Sequence, residues 1–233
     1  DREVLKREEL VEAFTMDGLQ PSSGVFDVEK FQWMNGVYIR ETPTADLIHK
    51  LRQFVKDRVV LDYWEAPAEE GAPVKPDMLP QLGMLQIAFE RDPEYAGKAV
   101  ALEQERVQTL PEFGPATAFF FEDEPPMDQK AVAKWFGQPH VSDLFDYLIE
   151  RLNEPRASLP GLSASTGASV EWCETLIRHY ATEKGFDKLG PVVHPVRVAL
   201  TGKTVGPGLF ELMSVLGPER MLTRLQRARA LVR

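Results

Sequence analysis

Residues 169–185, with the sequence SVEWCETLIRHYATEKG, carry the clearest structural signal in the chain. Ser169 is a good N-cap, because its hydroxyl can accept a hydrogen bond from a backbone amide in the first turn of a helix. Gly185 is a typical residue at which a helix ends. Between them, apolar side chains recur on one face at Val170, Cys173, Ile177 and Tyr180. The stretch therefore predicts an amphipathic helix packed on a core.

The N-terminal part of the chain carries similar signals. Asp27 can cap a helix over about 28–39. Its side chains at core spacing are Phe31, Met34 and Tyr38. Thr42 followed by Pro43 provides a cap and a first-turn proline for a second helix. The core side chains of that helix are expected at Leu47, Leu51 and Val55.

The remaining segments are also helical in pattern. Residues 209–216 and about 218–231 have the pattern of two helices that Gly217 separates. Alternating apolar and polar residues, the pattern of a half-buried strand, are nearly absent. Acidic, proline-containing connectors are expected at 66–80 and 122–128. We therefore predict a mainly α chain with three helical units, at 1–75, 76–125 and 126–233.

The composition is that of an ordinary globular protein. Of the 233 residues, 43% are hydrophobic and 27% are charged, both close to average. No apolar run approaches the roughly 20 residues that a membrane span needs, and the chain opens without a signal-peptide pattern. Cys173 is the only cysteine, so an intramolecular disulfide is impossible. These features predict a cytoplasmic protein with no membrane partner.

The formal charge of −9 is unevenly distributed along the chain. Acidic residues dominate 62–94, whereas the tail from Arg197 to Arg233 holds seven basic residues and two acidic ones. Such a separation suits a protein that contacts RNA with selected faces, although solvated helix faces produce the same pattern.

Catalytic and metal-binding motifs are absent from the sequence. Gly202-Lys203-Thr204 resembles the end of a phosphate-binding loop, but that motif requires a glycine where the chain has Arg197. The four histidines lack paired ligand spacing, so we expect no metal. Cys173 lies on the apolar face of its predicted helix, as a core thiol would.

Three ordered segments resemble segments of the bacterial glutamyl-tRNA synthetases. Residues 26–40, FDVEKFQWMNGVYIR, are similar to the family's F-D-x-E-K-L-x-W-M-N-x-x-Y-I-R. Residues 105–113, ERVQTLPEF, look like its R-x-x-T-L-x-E-F segment. Residues 197–220 resemble R-x-A-L-T-G, then P-G-L-F-E, then L-G-x-E-R. The resemblance covers almost the whole chain, but the family's ATP-holding H-I-G-H and K-x-S-K motifs do not occur in it.

The resemblance implies a small helical stem-contact domain, followed by an α-helical-bundle anticodon-binding region, a helix cage in two subdomains. It implies binding of tRNA(Glu) and not of DNA, by a monomer that is part of a ligase serving translation. The full-length enzyme would join glutamate to tRNA(Glu) with ATP and Mg²⁺, whereas this chain alone would be inactive and hold no cofactor. The alternative is a protein-interaction module or a stand-alone tRNA-binding adaptor derived from the same fold.

Arg106 aligns with the family arginine that reads the last anticodon base. Glutamate anticodons end in cytosine, which presents two acceptors, whereas glutamine anticodons end in guanine, which presents donors on the matching edge. An arginine has only donors, so it suits cytosine. The alternative is that Arg106 forms a surface ion pair with Glu103 or Glu105.

A second set of site residues also follows from the resemblance. Arg197 and the turn formed by Gly206, Pro207, Gly208 and Leu209 would wrap the first anticodon base, with Leu209 beneath it. Thr201 is a weaker candidate, since threonine there can simply end a helix. Gly206 stands where relatives carry threonine, so a side-chain hydrogen bond is not expected there. The turn can equally be only the entry to a helix.

The tRNA stem would meet residues of the first unit. Lys30 would contact a phosphate and Trp33 would stack on ribose or backbone, although Trp33 and Tyr38 can equally be core residues. At the other end of the chain, further phosphate contacts are expected from Arg220, Arg224 and Arg227.

Overall fold

The computed structural model describes residues 4–18, 27–65, 78–154, 162–163 and 167–232. The helices in these ranges are α1 (Arg7–Ala13), α2 (Val28–Glu41), α3 (Thr44–Glu65), α4 (Leu79–Arg91), α5 (Pro93–Glu103), α6 (Phe113–Phe121), α7 (Gln129–Trp135), α8 (Val141–Asn153), α9 (Val170–Glu183), α10 (Gly190–Thr201) and α11 (Leu209–Leu231). Single 3₁₀ turns are formed by Met16–Gly18 and Leu110–Glu112. The prediction of a mainly α chain is confirmed.

The only strands in the described ranges form a two-residue hairpin. β1 (Leu162–Ser163) pairs antiparallel with β2 (Gly167–Ala168), and the Ser214 hydroxyl of α11 donates to the Ala168 carbonyl at 2.7 Å. No helix in these ranges has the length and apolarity of a membrane span.

The helix boundaries follow the capping residues expected from the sequence. The Asp27 carboxylate accepts from the Lys30 amide at 3.0 Å and begins α2, and the Ser169 hydroxyl accepts from the Trp172 amide at 3.1 Å and begins α9. Gly185, with φ +72°, follows the end of α9. Of the predicted core positions of α9, Cys173, Ile177 and Tyr180 are buried, whereas Val170 is half-buried.

The predicted apolar face of α2 is wrong at two of its three positions. Phe31 is 56% exposed and Tyr38 is also exposed, whereas Gly36 and Ile39 are buried. The reason is a close approach to the segment after α5, because a Cβ on Gly36 would lie 3.4 Å from the Cα of Gln108. The Tyr38 hydroxyl instead donates to the Leu5 carbonyl.

Two predicted helix boundaries also need correction. Thr42 ends α2 instead of capping α3, since its hydroxyl donates back to the Tyr38 carbonyl at 2.7 Å. Pro80 lies in the first turn of α4, so the connector predicted at 66–80 ends before it. Residues 66–77 of that connector lie outside the described residues. The connector predicted at 122–128 does separate α6 from α7.

Two apolar cores share α5. The first core involves α2 to α6 and includes Leu47, Leu51, Val55, Leu82, Leu85, Phe89 and Phe113. The second involves α5 to α11 and includes Phe145, Ile177, Tyr180, Leu212, Met213 and Met221. Ala96 and Val100 of α5 face the first core, whereas Ala99 faces the second. The unit boundaries at 75 and 125 stay a prediction.

Helix α11 is broken where the sequence predicted. Gly217 has φ +74° and ψ 165°, and Pro218 follows it. In the second half of the helix, Arg224 is only 2% exposed. Its guanidinium donates to three carbonyl groups, those of Leu200 at 2.6 Å, Phe119 at 2.7 Å and Glu122 at 2.7 Å. Arg224 therefore joins the ends of α6 and α10, and its predicted phosphate contact is wrong because the side chain is buried.

Candidate functional site

The turn after α5 presents Arg106 at the surface. α5 ends at Glu103, and the Arg106 amide donates to the Glu103 carbonyl at 2.9 Å. Val107 is buried in the first core. Glu112 then closes the loop, because its carboxylate accepts from the Gln108 amide at 2.9 Å and from the Thr109 hydroxyl at 2.8 Å. The backbone that carries Arg106 is thus held on both sides.

Gln104 ties this turn to the N-terminal helices. Its buried side-chain amide donates to the carbonyl groups of Ile39 at 2.9 Å and Thr42 at 2.7 Å. Its side-chain oxygen accepts from the Thr44 hydroxyl at 2.9 Å. A buried, fully paired amide of this kind fixes relative position. The turn that bears Arg106 and the end of α2 therefore form one rigid element.

The second half of the site begins on α10. Arg197 lies on α10, and its Nη1 donates to the Pro207 carbonyl at 2.5 Å. Gly202 ends the helix with φ +73°, and a Cβ there would collide with the Pro126 carbonyl oxygen, so only glycine fits. The chain then folds back over Arg197. A Cβ on Gly206 would lie 3.1 Å from Arg197 Nη1.

The two halves meet at one cleft. Its volume is about 240 Å³, and its lining includes Glu103, Arg106, Lys203 and Gly206. Arg197 lies directly behind Gly206, close enough that the charge of Arg106 helps burial to lower the Arg197 pKa. The structure thus brings Arg106 and Arg197, 91 positions apart in the sequence, near each other, although only Arg106 lines the cleft. The charged residues of the lining are Arg106, Lys203, Glu103 and Glu112.

Glu103 is the buried acid of this cleft. It is 4% exposed, and burial raises its pKa to about 7 even though the positive charges of Arg106, Lys203 and Arg197 act in the opposite direction. Its carboxylate lies 3.2 Å from Arg106 Nε. The ion pair considered as an alternative role for Arg106 is therefore present, with Glu103 as the partner.

The ion pair leaves most of the Arg106 guanidinium open. The side chain is 42% exposed, and its contact with Glu103 is made through Nε. Within the described part of the chain, the terminal nitrogens of Arg106 make no hydrogen bond. An arginine carries four N–H groups on those two nitrogens. Arg106 can therefore be paired with Glu103 and still offer donors to a ligand.

Two predicted contact residues are buried, which corrects their expected role. Thr201 is buried, and its hydroxyl donates to the Arg197 carbonyl at 2.8 Å and accepts from the Lys203 amide at 3.1 Å. Leu209 is buried in the second core. Both side chains support the turn from inside, and in this conformation Leu209 offers no free face to a base.

The other residues of the predicted turn differ in exposure. Pro207 is buried, whereas Gly208 is exposed and is the N-cap residue of α11. The Gly208 carbonyl accepts from the Leu212 amide at 3.0 Å. The alternative interpretation of 206–209 as a helix entry is therefore correct in geometry, and it leaves Gly206 at the cleft.

The predicted stem contacts lie on the surface of α2. Trp33 is 45% exposed, and Lys30 is exposed as well. Their spacing of three residues places them on one side of the helix. The alternative that Trp33 and Tyr38 are core residues is wrong.

Three residues near the cleft were missed in the sequence. Glu103 was considered only as a surface partner of Arg106. Lys203 was considered within a rejected phosphate motif and as one charge of the basic tail, and Gln104 was not considered at all. The spacing of three between Glu103 and Arg106 is the one signal that pointed to their contact. A further feature is the stack of His194 on Trp135, with ring centroids 4.4 Å apart, one helical turn before Arg197.

The described residues hold neither a cluster of metal ligands nor a reactive cysteine. No group of three or more potential metal ligands lies together in these ranges. Cys173 is buried, and burial raises the pKa of its thiol to about 12, so it stays protonated and unreactive.

Comparison with known proteins gives one consistent result. The chain is 35% identical over 229 residues to the glutamate–tRNA ligase of Syntrophobacter fumaroxidans and 33% identical over 231 residues to that of Thermus thermophilus. These matches cover 98% of this chain and 40% of each relative. The chain thus spans about 40% of the length of the curated relatives it matches.

Solved structures agree in fold. A glutamate tRNA ligase from Elizabethkingia meningosepticum, in complex with its amino acid, matches with a TM-score of 0.69 at 22% identity, covering 100% of this chain and 38% of that one. The resemblance expected from the three sequence segments is confirmed. The family model described as the anticodon binding domain matches residues 46–229, and the chain therefore belongs to the anticodon binding domain family.

Proposed function

We propose that the chain binds tRNA(Glu) and reads its anticodon as part of a glutamate–tRNA ligase. The observation that carries this proposal is the cleft itself, in which the open guanidinium of Arg106 lies with Lys203 and with Arg197 behind Gly206. Donors without partners at a partly enclosed site suit the Watson–Crick edge of a splayed loop base. The names of the relatives support glutamate as the amino acid.

Arg106 would distinguish the last anticodon base. Its terminal nitrogens present donors only, so a cytosine edge with two acceptors is matched. A guanine edge would oppose donors with donors and leave them unpaired. Such a mismatch costs about 1–3 kcal/mol, which corresponds to roughly ten- to hundredfold in affinity.

The remaining site residues would serve orientation and electrostatics. The bond from Arg197 to the Pro207 carbonyl holds the turn at Gly206 and Gly208 against α10. Glycines let a base approach the backbone closely. On α2, exposed Lys30 and Trp33 would contact the tRNA stem, whose phosphates attract a cation and whose sugars offer a stacking surface.

The whole ligase would supply the chemistry. It would attach glutamate to tRNA(Glu) with ATP and Mg²⁺ in the cytoplasm, and a monomer is expected. The family's ATP-holding H-I-G-H and K-x-S-K motifs do not occur in the sequence, so the chain alone is expected to bind tRNA and to form no glutamyl-tRNA.

Filter binding with two tRNA(Glu) transcripts tests the proposal. One transcript carries cytosine and the other guanine as the last anticodon base. The chain is expected to prefer cytosine by about tenfold or more, with affinity that falls as salt rises. Arg106→Gln should remove most of the preference. Arg178→Gln is the matched control, because Arg178 is also half-exposed and ion-paired, but lies on α9 with Glu174 as its partner.

Two outcomes would overturn the proposal. Equal affinity for both transcripts removes the reading role of Arg106. Capture of proteins with no tRNA bound would favour the alternative of a protein-interaction module.

A further inference from the structure

We propose that Glu103 is a positioning residue of this site, whose carboxylate orients Arg106 toward the anticodon base and offsets the charge of Arg197 and Lys203. This inference rests on the proposed function, since it assigns a role to the group that holds the reading arginine. Glu103 is not itself expected to touch RNA, because its side chain is only 5% exposed.

The geometry of the ion pair supports an orienting role. The Glu103 carboxylate contacts Nε, which lies on the inner edge of the guanidinium, at 3.2 Å. The guanidinium is planar, so a contact at Nε restricts its rotation; one terminal nitrogen shares the edge of Nε, and the other lies on the side away from the acid. The turn already fixes the Arg106 backbone through its amide. Backbone and side chain are thus both constrained before any ligand binds, which lowers the entropy cost of binding.

Among the acids near the cleft, Glu103 is the one in an ion pair with Arg106, and Glu211 also offsets the charge of Arg197. The cations come from three segments: Arg106 from the turn after α5, Arg197 from α10 and Lys203 from the loop that follows α10. Glu112 also lines the cleft, but its carboxylate is engaged with the Gln108 amide and the Thr109 hydroxyl.

The position of Glu103 is unfavourable for a carboxylate on structural grounds alone. It is buried, and it is the last residue of α5, where the helix dipole disfavours negative charge. A glutamine of the same shape would avoid both costs. A charge kept at a costly place beside the proposed base-reading residue is the pattern expected of a functional group.

The placement also predicts a pH dependence. Burial brings the pKa of Glu103 to about 7, so the carboxylate gains a proton as pH falls from 8 to 6. A protonated Glu103 no longer holds Arg106 by charge. The preference of the chain for cytosine over guanine at the last anticodon base should therefore weaken over this pH range.

The test compares affinities for the two transcripts at pH 6, 7 and 8, using the chain, Glu103→Gln and Glu105→Gln. Glu105→Gln is the matched control, since Glu105 is exposed and its change removes the same charge two residues away. Glu103→Gln is expected to reduce the cytosine preference by about threefold to tenfold at pH 8 and to make it independent of pH. Glu105→Gln should keep both the preference and its pH profile.

The outcomes separate this inference from the proposed function. If the unmodified chain shows no preference, the reading role of Arg106 fails first. If the unmodified chain prefers cytosine equally at pH 6 and 8 and Glu103→Gln matches it, Glu103 does not position Arg106. The pH profile of the unmodified chain decides the matter even if the variant does not fold.

Discussion

Replacing Glu103 with glutamine should stabilise the fold at pH 8 and leave its stability nearly unchanged at pH 4. Burial raises the pKa of this carboxyl from 4.5 to about 7. The folded chain therefore holds a proton on Glu103 more tightly than the unfolded chain does. The contribution of the neutral carboxyl is fully present below about pH 4.5 and is lost as pH rises through 7.

The magnitude follows from the two pKa values. A difference of one between the folded and unfolded pKa values corresponds to about 1.4 kcal/mol. Ionising Glu103 therefore costs roughly 3 kcal/mol more in the folded chain than in the unfolded one. Glutamine has the same shape and never ionises. Its partner Arg106 is 42% exposed, so water can solvate the guanidinium when the carboxylate is gone.

Urea unfolding followed by circular dichroism checks this at both pH values. The free energy of unfolding of Glu103→Gln should exceed that of the unmodified chain by about 3 kcal/mol at pH 8 and by nearly nothing at pH 4. Glu105→Gln is again the control and should differ little at either pH. The explanation would be refuted if Glu103→Gln were less stable than the unmodified chain at pH 8. It would also be refuted if the substitution changed the free energy of unfolding by the same amount at pH 8 and pH 4.

Two further substitutions test the framework around the cleft. Arg224→Met should lower the free energy of unfolding by about 3–5 kcal/mol, because three carbonyl groups lose their donor, whereas the exposed Arg178→Met should change it by less than about 1 kcal/mol. Gly202→Ala should cost more than Gly185→Ala in the same urea titration. Both glycines have φ near +72°, but a Cβ at Gly202 would collide with the Pro126 carbonyl oxygen, and at Gly185 it would meet open space. Equal costs would show that the clash is relieved by movement of the backbone.

Local signals in the sequence were sufficient to predict where helices begin when a capping residue marks the start. Ser169 and Asp27 begin helices because a side-chain oxygen three residues back satisfies a free amide, and this depends on neighbours alone. The buried face of α2 could not be predicted in this way. Phe31 and Tyr38 have helical spacing, and so do positions nearer Gly36. The side of α2 that is buried is the one at Gly36, because it packs against Gln108, which is distant in sequence.

The same limit applies to the charged residues. Arg224 shares helical spacing with Arg220 and Arg227, and nothing local marks it as the buried one. Its burial depends on where the ends of α6 and α10 lie, since their carbonyl groups supply its partners. The contact of Arg106 with Glu103 follows from their separation by three residues in the turn after α5, whereas the burial of Glu103 depends on how the two cores assemble.

That assembly explains why a costly carboxylate can be kept beside the cleft. Ala96 and Val100 fix α5 to the first core, and Ala99 fixes it to the second, so the helix cannot shift outward to return Glu103 to water. The remaining way to stabilise the buried carboxylate is to draw in a cation, and the turn places Arg106 within 3.2 Å of it. If this reasoning is correct, loosening α5 by Val100→Ala should let water reach Glu103 and move its pKa down from about 7 toward 4.5, with a cytosine preference that no longer falls between pH 8 and 6. A Val100→Ala chain that retains the original pH profile would show that the two cores do not hold the acid in place.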